Sequence, residues 1–386
     1  MNEYIPKGWK RVKLGEVIKV KHGYAFKGKY ITDKETDAII VTPGNFKIGG
    51  GFKSSKFKYF NFEYPKEYIL KEGDIVVTMT DLSKDSDTLG YAAKIPSIKN
   101  KILLHNQRIG LVEFINNEVS KDFIYWLMRT TDYHWYCVSS ASGTSIMHTS
   151  PSRIANYEFY LPPLHEQKAI TSVLSSLDDK IDLLHRQNQT LEKMAETLFR
   201  QWFIEEAKED WEEVKLGDFF PVKTGKKNAN FATDDGKYPF FTCSQEVLRA
   251  PFYTFEGYAI LLAGNGDFNV KRYKGKFEAY QRTYVLIPYE DLYVGFLYTL
   301  IKYFLPEITG SYQGSVINFI TKGMIENFSF TLPSNRKTDE KFKSKLQKIN
   351  LIYEKIDFNI KQIRTLEQLR DTLLPKLMSG EVRVKI

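Results

Sequence analysis

The chain repeats itself. Trp9, Val12-Lys13-Leu14-Gly15-Glu16, Val20-Lys21 and Gly23 return as Trp211, Val214-Lys215-Leu216-Gly217-Asp218, Val222-Lys223 and Gly225, at a constant offset of 202. Gly143-Thr144-Ser145-Ile146 and Asn156-Tyr157-Glu158-Phe159-Tyr160-Leu161-Pro162 return as Gly314-Ser315-Val316-Ile317 and Asn327-Phe328-Ser329-Phe330-Thr331-Leu332-Pro333 at an offset of 171, which makes the second unit 31 residues shorter. A third block, Lys180-Ile181-Asp182 with Leu191-Glu192, Thr197 and Leu198, returns as Lys355-Ile356-Asp357 with Leu366-Glu367, Thr372 and Leu373 at an offset of 175. The order is globular unit, helix, globular unit, helix, and a duplication of this kind can build a pseudo-two-fold object that meets a two-fold partner.

A length of 386 residues with 42% apolar side chains is enough for two cores and their connectors. The net charge of +8 and pI near 9.0 fit an acidic polyelectrolyte partner, though a basic solubility margin on an ordinary enzyme gives the same figure. Cys137 and Cys243 share no context, which suggests neither a disulfide framework nor a metal site and fits a reducing cytosol. Residues Met1 to Lys7 lack the apolar core of a signal peptide, and apolar runs such as Ala259 to Ala263 are too short to span a bilayer. The expectation is a soluble, cytoplasmic protein with no membrane association.

Each globular unit reads as short strands separated by polar, glycine-rich loops: Asp74 to Thr78, Lys101 to Leu104 and Arg108 to Phe114 in the first, Tyr258 to Ala263 and Thr283 to Ile287 in the second. A short amphipathic helix follows in each, Asp122 to Arg129 and Tyr293 to Tyr303. The fold class is therefore α+β, two mixed α/β units each followed by a long helix. Leu177, Ile181, Leu184, Asn188, Leu191, Ala195, Leu198 and Trp202 are spaced as a heptad seam, and Ile352, Ile356, Asn359, Ile363, Leu366, Arg370, Leu373 and Leu377 keep the register, with Pro375 and Gly380 marking the end. Two narrow stripes of this length favour mutual pairing over packing of each helix on its own unit, and an antiparallel pairing satisfies the pseudo-symmetry. A paired stretch of about 26 residues spans about 39 Å at about 1.5 Å per residue. One turn of B-DNA is about 34 to 36 Å, so such a strut could hold two reading heads one turn apart.

The connector Leu161-Pro162-Pro163-Leu164-His165-Glu166-Gln167-Lys168, leading into Ile170, Leu174 and Leu177-Asp178-Asp179-Lys180-Ile181, is similar to the connecting segment of the specificity subunit of type I restriction-modification enzymes. The resemblance runs over essentially the whole chain, including the Trp-x-x-Val-x-Leu-Gly openings and the terminal Leu373-Leu374-Pro375-Lys376-Leu377-Met378-Ser379-Gly380-Glu381-Val382. It implies target-recognition domains at residues 1–163 and 207–334, a first long helix with its linker at 164–206, and a second long helix with a C-terminal tail at 335–386. It also implies an antiparallel helix pair, and two domains that each read one half of an interrupted, asymmetric double-stranded DNA site. The partners it implies are two copies of an adenine methyltransferase subunit, docked by helices that set the gap, and motor-nuclease subunits in the full complex. On that reading S-adenosylmethionine, ATP and Mg belong to the partners and this chain carries no cofactor. The second connector departs from the pattern: Leu332-Pro333-Ser334-Asn335-Arg336-Lys337 has no second proline and no Glu-Gln, so equivalent partner contacts at the two connectors are in doubt.

Catalytic parts are missing from the sequence. Ala263-Gly264-Asn265-Gly266-Asp267 follows an apolar strand as a cofactor glycine loop would, but no Asn/Asp-Pro-Pro-Tyr loop accompanies it to hold a flipped base. His165-Glu166-Gln167-Lys168 lacks the second histidine of a zinc helix, and no phosphate-binding P-loop occurs. The expectation is no catalytic residues, no metal site and no enzyme activity; the alternatives are a coiled-coil scaffold or a fragment of a self-contained restriction-methylation enzyme.

Binding chemistry is better supplied, because phosphates call for Lys and Arg while base edges call for Arg, Asn, Gln, Asp, Ser or Thr on loops. In the first unit the candidates are Asn45, Lys47, Lys53 and Lys56 around Gly49-Gly50-Gly51, then Thr80, Asp81 and Lys84. In the second they are Lys226, Lys227, Asn228, Asn265, Asn269, Lys271 and Arg272. Gln107-Arg108 matches Gln281-Arg282 at an offset of 174, and this shared pair either binds the DNA backbone in both heads or ties loop to sheet. Residues identical in both heads cannot explain different half-sites, so sequence reading is expected in the loops that differ.

Overall fold

In a computed structural model of the chain, which describes residues 6–81, 83, 86–143, 146–266, 268–310 and 319–385, the repeated Trp-x-x-Val-x-Leu-Gly block builds the same opening twice. Strand Lys10–Lys13 runs into a tight turn at Leu14–Glu16, and strand Glu212–Lys215 into one at Leu216–Asp218. Glu16 accepts a hydrogen bond from the Lys13 amide at 2.9 Å and Asp218 accepts one from the Lys215 amide at 2.8 Å, so the acidic residue of each block closes its turn. The opening strands pair antiparallel with Glu158–Leu161 and with Ser329–Leu332. Two repeated blocks far apart in sequence are thus strand partners in space.

The chain divides into two compact units, Met1–Ile181 with Arg364–Ile386, and Asp182–Ile363. The first holds a five-stranded sheet in the order Ile31–Thr32, Lys58–Phe60, Ala38–Val41, Ile102–His105, Ile69–Leu70. Beside it lies a four-stranded sheet in the order Ile18–His22, Ile109–Phe114, Ile75–Thr78, Ala92–Lys94. The second unit merges both patterns into one six-stranded sheet, Val222–Thr224, Thr283–Leu286, Phe255–Ala263, Val270–Ala279, Tyr238–Phe241, Val247–Ala250. There the ten-residue strand Val270–Ala279 is antiparallel to Phe255–Ala263 and parallel to Tyr238–Phe241. It does alone what Ala92–Lys94 and Ile102–His105 do separately in the first unit. The expected short helices stand at Lys121–Leu127 and Val294–Tyr303.

The first long helix is Leu164–Arg200, closing in a wider π turn at Gln201–Glu205, and the second is Glu340–Ser379. Pro375 lies inside the second helix rather than at its end, and Gly380, at φ +76°, supplies the left-handed stop. In the second unit Asn359 donates to the Asn188 side-chain oxygen at 2.8 Å, and Lys345 and Lys348 lie over the Trp202 ring at 5.7 and 5.8 Å. In the first unit Arg370 donates to Asp178 at 2.7 Å. The pairing is antiparallel, and polar seam residues meet polar partners, as burial in a helix seam demands.

The register differs from the expected match of Leu177–Trp202 with Ile352–Leu377. Trp202, Asn188 and Asp178 meet Lys345, Asn359 and Arg370, one heptad earlier on the second helix. The buried stripes run on beyond their expected ends, through Leu174 and Ile170 before Leu177 and through Ile349 and Phe342 before Ile352, and the helices also bury faces in the cores of the two units. Ile170, Leu174, Leu374, Leu377 and Met378 join the first unit's core with Phe123, Trp126 and Phe159. Ala195, Phe199, Phe203, Phe342, Leu346, Ile349 and Tyr353 join the second unit's core with Phe296 and Leu297. Of the expected seam, Ile181, Leu184, Ile352, Ile356, Asn359, Ile363 and Leu377 are buried, whereas Leu177, Asn188, Leu191, Leu198, Trp202, Leu366 and Leu373 are half-buried.

Candidate nucleic-acid interface

A parallel strand pair places two loops side by side in each unit. Ala38–Val41 and Ile102–His105 run parallel in the first, so their carboxyl ends release Thr42–Asn45 and Asn106–Arg108 at the same edge. Tyr238–Phe241 and the end of Val270–Ala279 do the same in the second, releasing Thr242–Ser244 and Tyr280–Arg282. The segment after the repeated glycine is stitched to this edge: the Tyr24 amide donates to the His105 carbonyl at 2.8 Å and the Gln107 amide to the Tyr24 carbonyl at 3.0 Å. In the second unit the Gly225 amide donates to Thr283 at 3.1 Å and the Gln281 amide to Lys227 at 2.9 Å. The approach leaves no room for a side chain on the glycine. A Cβ at Gly23 would lie 2.2 Å from the Asn106 carbonyl oxygen, and one at Gly225 would lie 2.0 Å from that of Ala279.

A further loop completes each rim. The Met79 amide donates to the Arg108 carbonyl at 2.9 Å, and the Gly264 amide to the Arg282 carbonyl at 2.8 Å. Thr80 then pairs with His148, and Asn265 with Phe319, across the same kind of antiparallel bridge; His148 and Phe319 stand at the 171-residue offset of the repeat. The two rims therefore share one plan with different chemistry at equivalent places.

Of the two roles that the sequence left open for the Gln-Arg pair, the loop-tying one is visible in the backbone. The backbones of Gln107, Arg108, Gln281 and Arg282 hold the loops together, while their four side chains are exposed and make no side-chain hydrogen bond or ion pair among the described residues. Lys226 and Asn228 are exposed on the second rim, and Lys227 is half-buried with its ammonium 4.6 Å from the Phe231 ring. Lys47, Lys53 and Lys56 are exposed on the first unit's glycine loop, and Lys84 lies outside the described residues.

Other sequence candidates prove to be internal. Asn45 is buried, accepts from the Thr42 amide at 3.0 Å and donates to the Lys53 carbonyl at 3.4 Å, so it shapes its loop from within. Thr80 bonds the His148 ring at 3.0 Å, and Asp81 accepts from the amides of Ser83 and Thr88, both at 2.6 Å. Those bonds hold the Asp81 carboxyl below the usual carboxylate range although burial works the other way. Asn265 accepts from the Cys243 thiol at 3.0 Å, Asn269 donates to the Cys243 carbonyl at 2.8 Å, and Lys271 donates to the Ser244 carbonyl at 2.6 Å. Burial lowers the pKa of Lys271. Arg272 turns inward too, bonded to Asp357 through both terminal nitrogens at 2.5 and 2.9 Å. A polar residue in a glycine-rich loop reads alike whether it faces solvent or ties the loop shut, because only the fold decides which way it turns. Sequence reasoning missed Tyr24 and His148, exposed on the first rim; the 171-residue offset that carries His148 onto Phe319 was the available signal.

A family model described as "Type I restriction modification DNA specificity domain" matches residues 6–193 and again 208–368. The EcoDI specificity subunit of Escherichia coli is 40% identical over 184 residues, a match spanning 45% of this chain and 39% of that protein. The MjaVIII specificity subunit of Methanocaldococcus jannaschii is 24% identical over 424 aligned positions, covering 99% of this chain and 94% of that one. A crystal structure of a type I restriction-modification system S subunit from M. genitalium shares the fold, with a TM-score of 0.60 over 98% of this chain and 97% of that one, at 19% identity. With a matched family domain in each of its two repeats, this chain belongs to the type I restriction-modification DNA specificity family.

Proposed function

We propose that the chain is a non-catalytic DNA-recognition subunit in which each rim reads one half of a bipartite, asymmetric double-stranded site. The observation that carries this reading is the duplicated rim: two loops at a parallel strand edge, the same exposed Gln-Arg, and different residues around it. Shared residues suit the uniform phosphate backbone, and differing residues suit different bases. Catalysis, with S-adenosylmethionine, ATP and Mg, is assigned to an adenine methyltransferase, taken on in two copies, and to motor-nuclease subunits. Exposed apolar residues on the long helices, Leu183 and Met194 on the first and Leu351, Phe358 and Leu369 on the second, support docking of protein partners there. No described helix is long and apolar enough to cross a membrane, and among the described residues no cluster of His, Cys, Asp or Glu is suited to hold a metal ion.

Exchanging residues 30–150 for those of another family member, with methylated adenines then mapped in cells that also express the cognate methyltransferase, tests this reading. One half of the marked sequence is expected to change and the other to stay; a change in both halves, or methyl transfer by the isolated chain, argues against it. Arg108→Ala and Arg282→Ala give a second check on the assembled complex. Each is expected to weaken binding about uniformly across sequences and to lower the slope of log affinity against log salt by about 1. An unchanged slope would leave the Gln-Arg pair a loop-tying role alone.

A further inference from the structure

Each unit fastens its sheets to a long helix through one buried arginine. Arg129, 4% exposed, donates to Asp178 at 2.6 Å, to the Tyr125 hydroxyl at 2.9 Å and to the Gly49 carbonyl at 3.0 Å, with its guanidinium 4.4 Å from the Trp126 ring centre. Arg272, 6% exposed, donates to both oxygens of Asp357 at 2.5 and 2.9 Å and to the Tyr258 hydroxyl at 2.6 Å, with its guanidinium 4.6 Å from the Tyr353 ring centre. The chemistry is the same: an aspartate on the helix, a tyrosine hydroxyl and an aromatic face.

The duplication does not account for this likeness. Arg129 follows the helix Lys121–Leu127, whose counterpart is Val294–Tyr303, whereas Arg272 sits in the strand Val270–Ala279. The two anchors occupy unrelated places in the repeat. Buried ion pairs add little stability over well-packed apolar side chains, so stability alone is a weak reason to build the same one twice. What a planar guanidinium held by a carboxylate, a hydroxyl and a ring supplies is a fixed angle. In the first unit the anchor also reaches the loops. Gly50, at φ +87°, lies so close that a Cβ there would be 2.6 Å from the Arg129 Cγ, and the Gly51 amide donates to the Ala92 carbonyl at 2.8 Å. The run Gly49-Gly50-Gly51 is moulded around this arginine, and Arg370 of the second long helix grips the other oxygen of Asp178.

Resting on the DNA-recognition reading, we propose that Arg129 and Arg272 are positioning residues that set the angle between each reading head and its helix, and through it the gap between half-sites that the complex accepts. Neither side chain touches DNA in this scheme. Each acts through the helix aspartate that it grips, and half-site sequence stays with the rim loops.

The test uses the full chain assembled with its cognate methyltransferase on DNA sets that hold both half-sites constant and vary the gap by one base pair in each direction. Wild type is expected to favour one gap. Arg129→Lys and Arg272→Lys keep the charge but lose the planar fork, and each is expected to cut discrimination between adjacent gaps about tenfold with unchanged half-site preference. Tyr125→Phe and Tyr258→Phe remove one hydroxyl and keep the core, so they serve if a lysine variant does not fold; a several-fold relaxation is expected. Folded variants that discriminate gaps as sharply as wild type, even with a lower Tm, overturn the proposal and leave the arginines a purely structural part. A wild-type complex that marks no bipartite site overturns the recognition reading, and the proposal with it.

Discussion

Gly225→Ala and Gly23→Ala are expected to collapse one reading rim each, at a cost of about 3 kcal/mol, the upper end of the range for overpacking that forces the backbone to shift. Neither glycine has the left-handed backbone that excludes other residues; the obstacle is the neighbouring strand end. A Cβ at position 225 would sit 2.0 Å from the Ala279 carbonyl oxygen and 2.4 Å from that of Tyr280, and at position 23 the nearest oxygens are the Asn106 and His105 carbonyls at 2.2 and 2.6 Å. Those atoms are backbone and cannot swing aside. The segments must part, and the backbone hydrogen bonds that stitch Tyr24 to His105 and Gln107, or Gly225 to Thr283, part with them. Thermal melts should show the loss, and methylation mapping should lose the half-site of the altered unit first. A variant within about 0.5 kcal/mol of wild type, the span of ordinary surface substitutions, would show that the close approach is wrong.

Arg383→Ala is the second large effect. The Glu166 side chain, 2% exposed, accepts from Arg383 through both oxygens at 2.8 and 2.7 Å and from the Trp9 ring nitrogen at 3.0 Å. Removing Arg383 leaves a buried carboxylate with too few donors. Breaking a buried pair costs about 3–5 kcal/mol, but Arg383 is itself 48% exposed and screened by water, so about 2 kcal/mol is expected. Glu166→Gln in the same chain should recover much of that loss. Burial pushes the Glu166 pKa up, yet the bonds from Arg383 and Trp9 more than offset it and hold the group below the usual carboxylate value. The contribution is therefore fully present above the unfolded pKa of about 4.3 and disappears as pH falls through the lower folded value. The difference between wild type and Arg383→Ala should be largest near neutrality and shrink in acid; a pH-independent difference would refute the account.

The same contact explains the departure in the second connector. Glu166 holds the tail beyond the second helix, and Gln167 holds the Ser120 amide at 2.7 Å and the Pro162 carbonyl at 2.8 Å. Ser334-Asn335 occupies the other connector, where the side chain of Ser334 donates to the Asp210 carbonyl at 3.2 Å instead. The repeat offsets in the sequence carried most of the strand plan, because the repeated blocks are strand partners or close backbone approaches that tolerate few substitutions. The rim was legible in the repeated Gln107-Arg108 and Gln281-Arg282 and in the lysine-rich run Lys226-Lys227-Asn228. Asn45, Asp81, Asn269 and Arg272 misled because turning inward leaves no local trace. The register of the helix pair was hidden for a related reason: Phe342 and Ile349 continue the heptad stripe before its expected start at Ile352, and with Leu346 they join the second unit's core, a burial that the spacing alone does not reveal.

The way the two units are cut from the chain also dictates an order in time. The second unit, residues 182–363, is continuous, whereas the first needs residues 364–386 to finish its core with Leu374, Leu377 and Met378. During synthesis the unit that begins first is therefore completed last. At about 5–20 residues per second, roughly ten to forty seconds separate emergence of residue 181 from that of residue 364. Through that interval Ile170 and Leu174 have no second helix to cover them, and Glu166 waits for Arg383. Nascent chains stalled so that residue 363 has left the ribosome but residues 364–386 have not should hold a protease-resistant second unit and a first unit that is still open to cleavage.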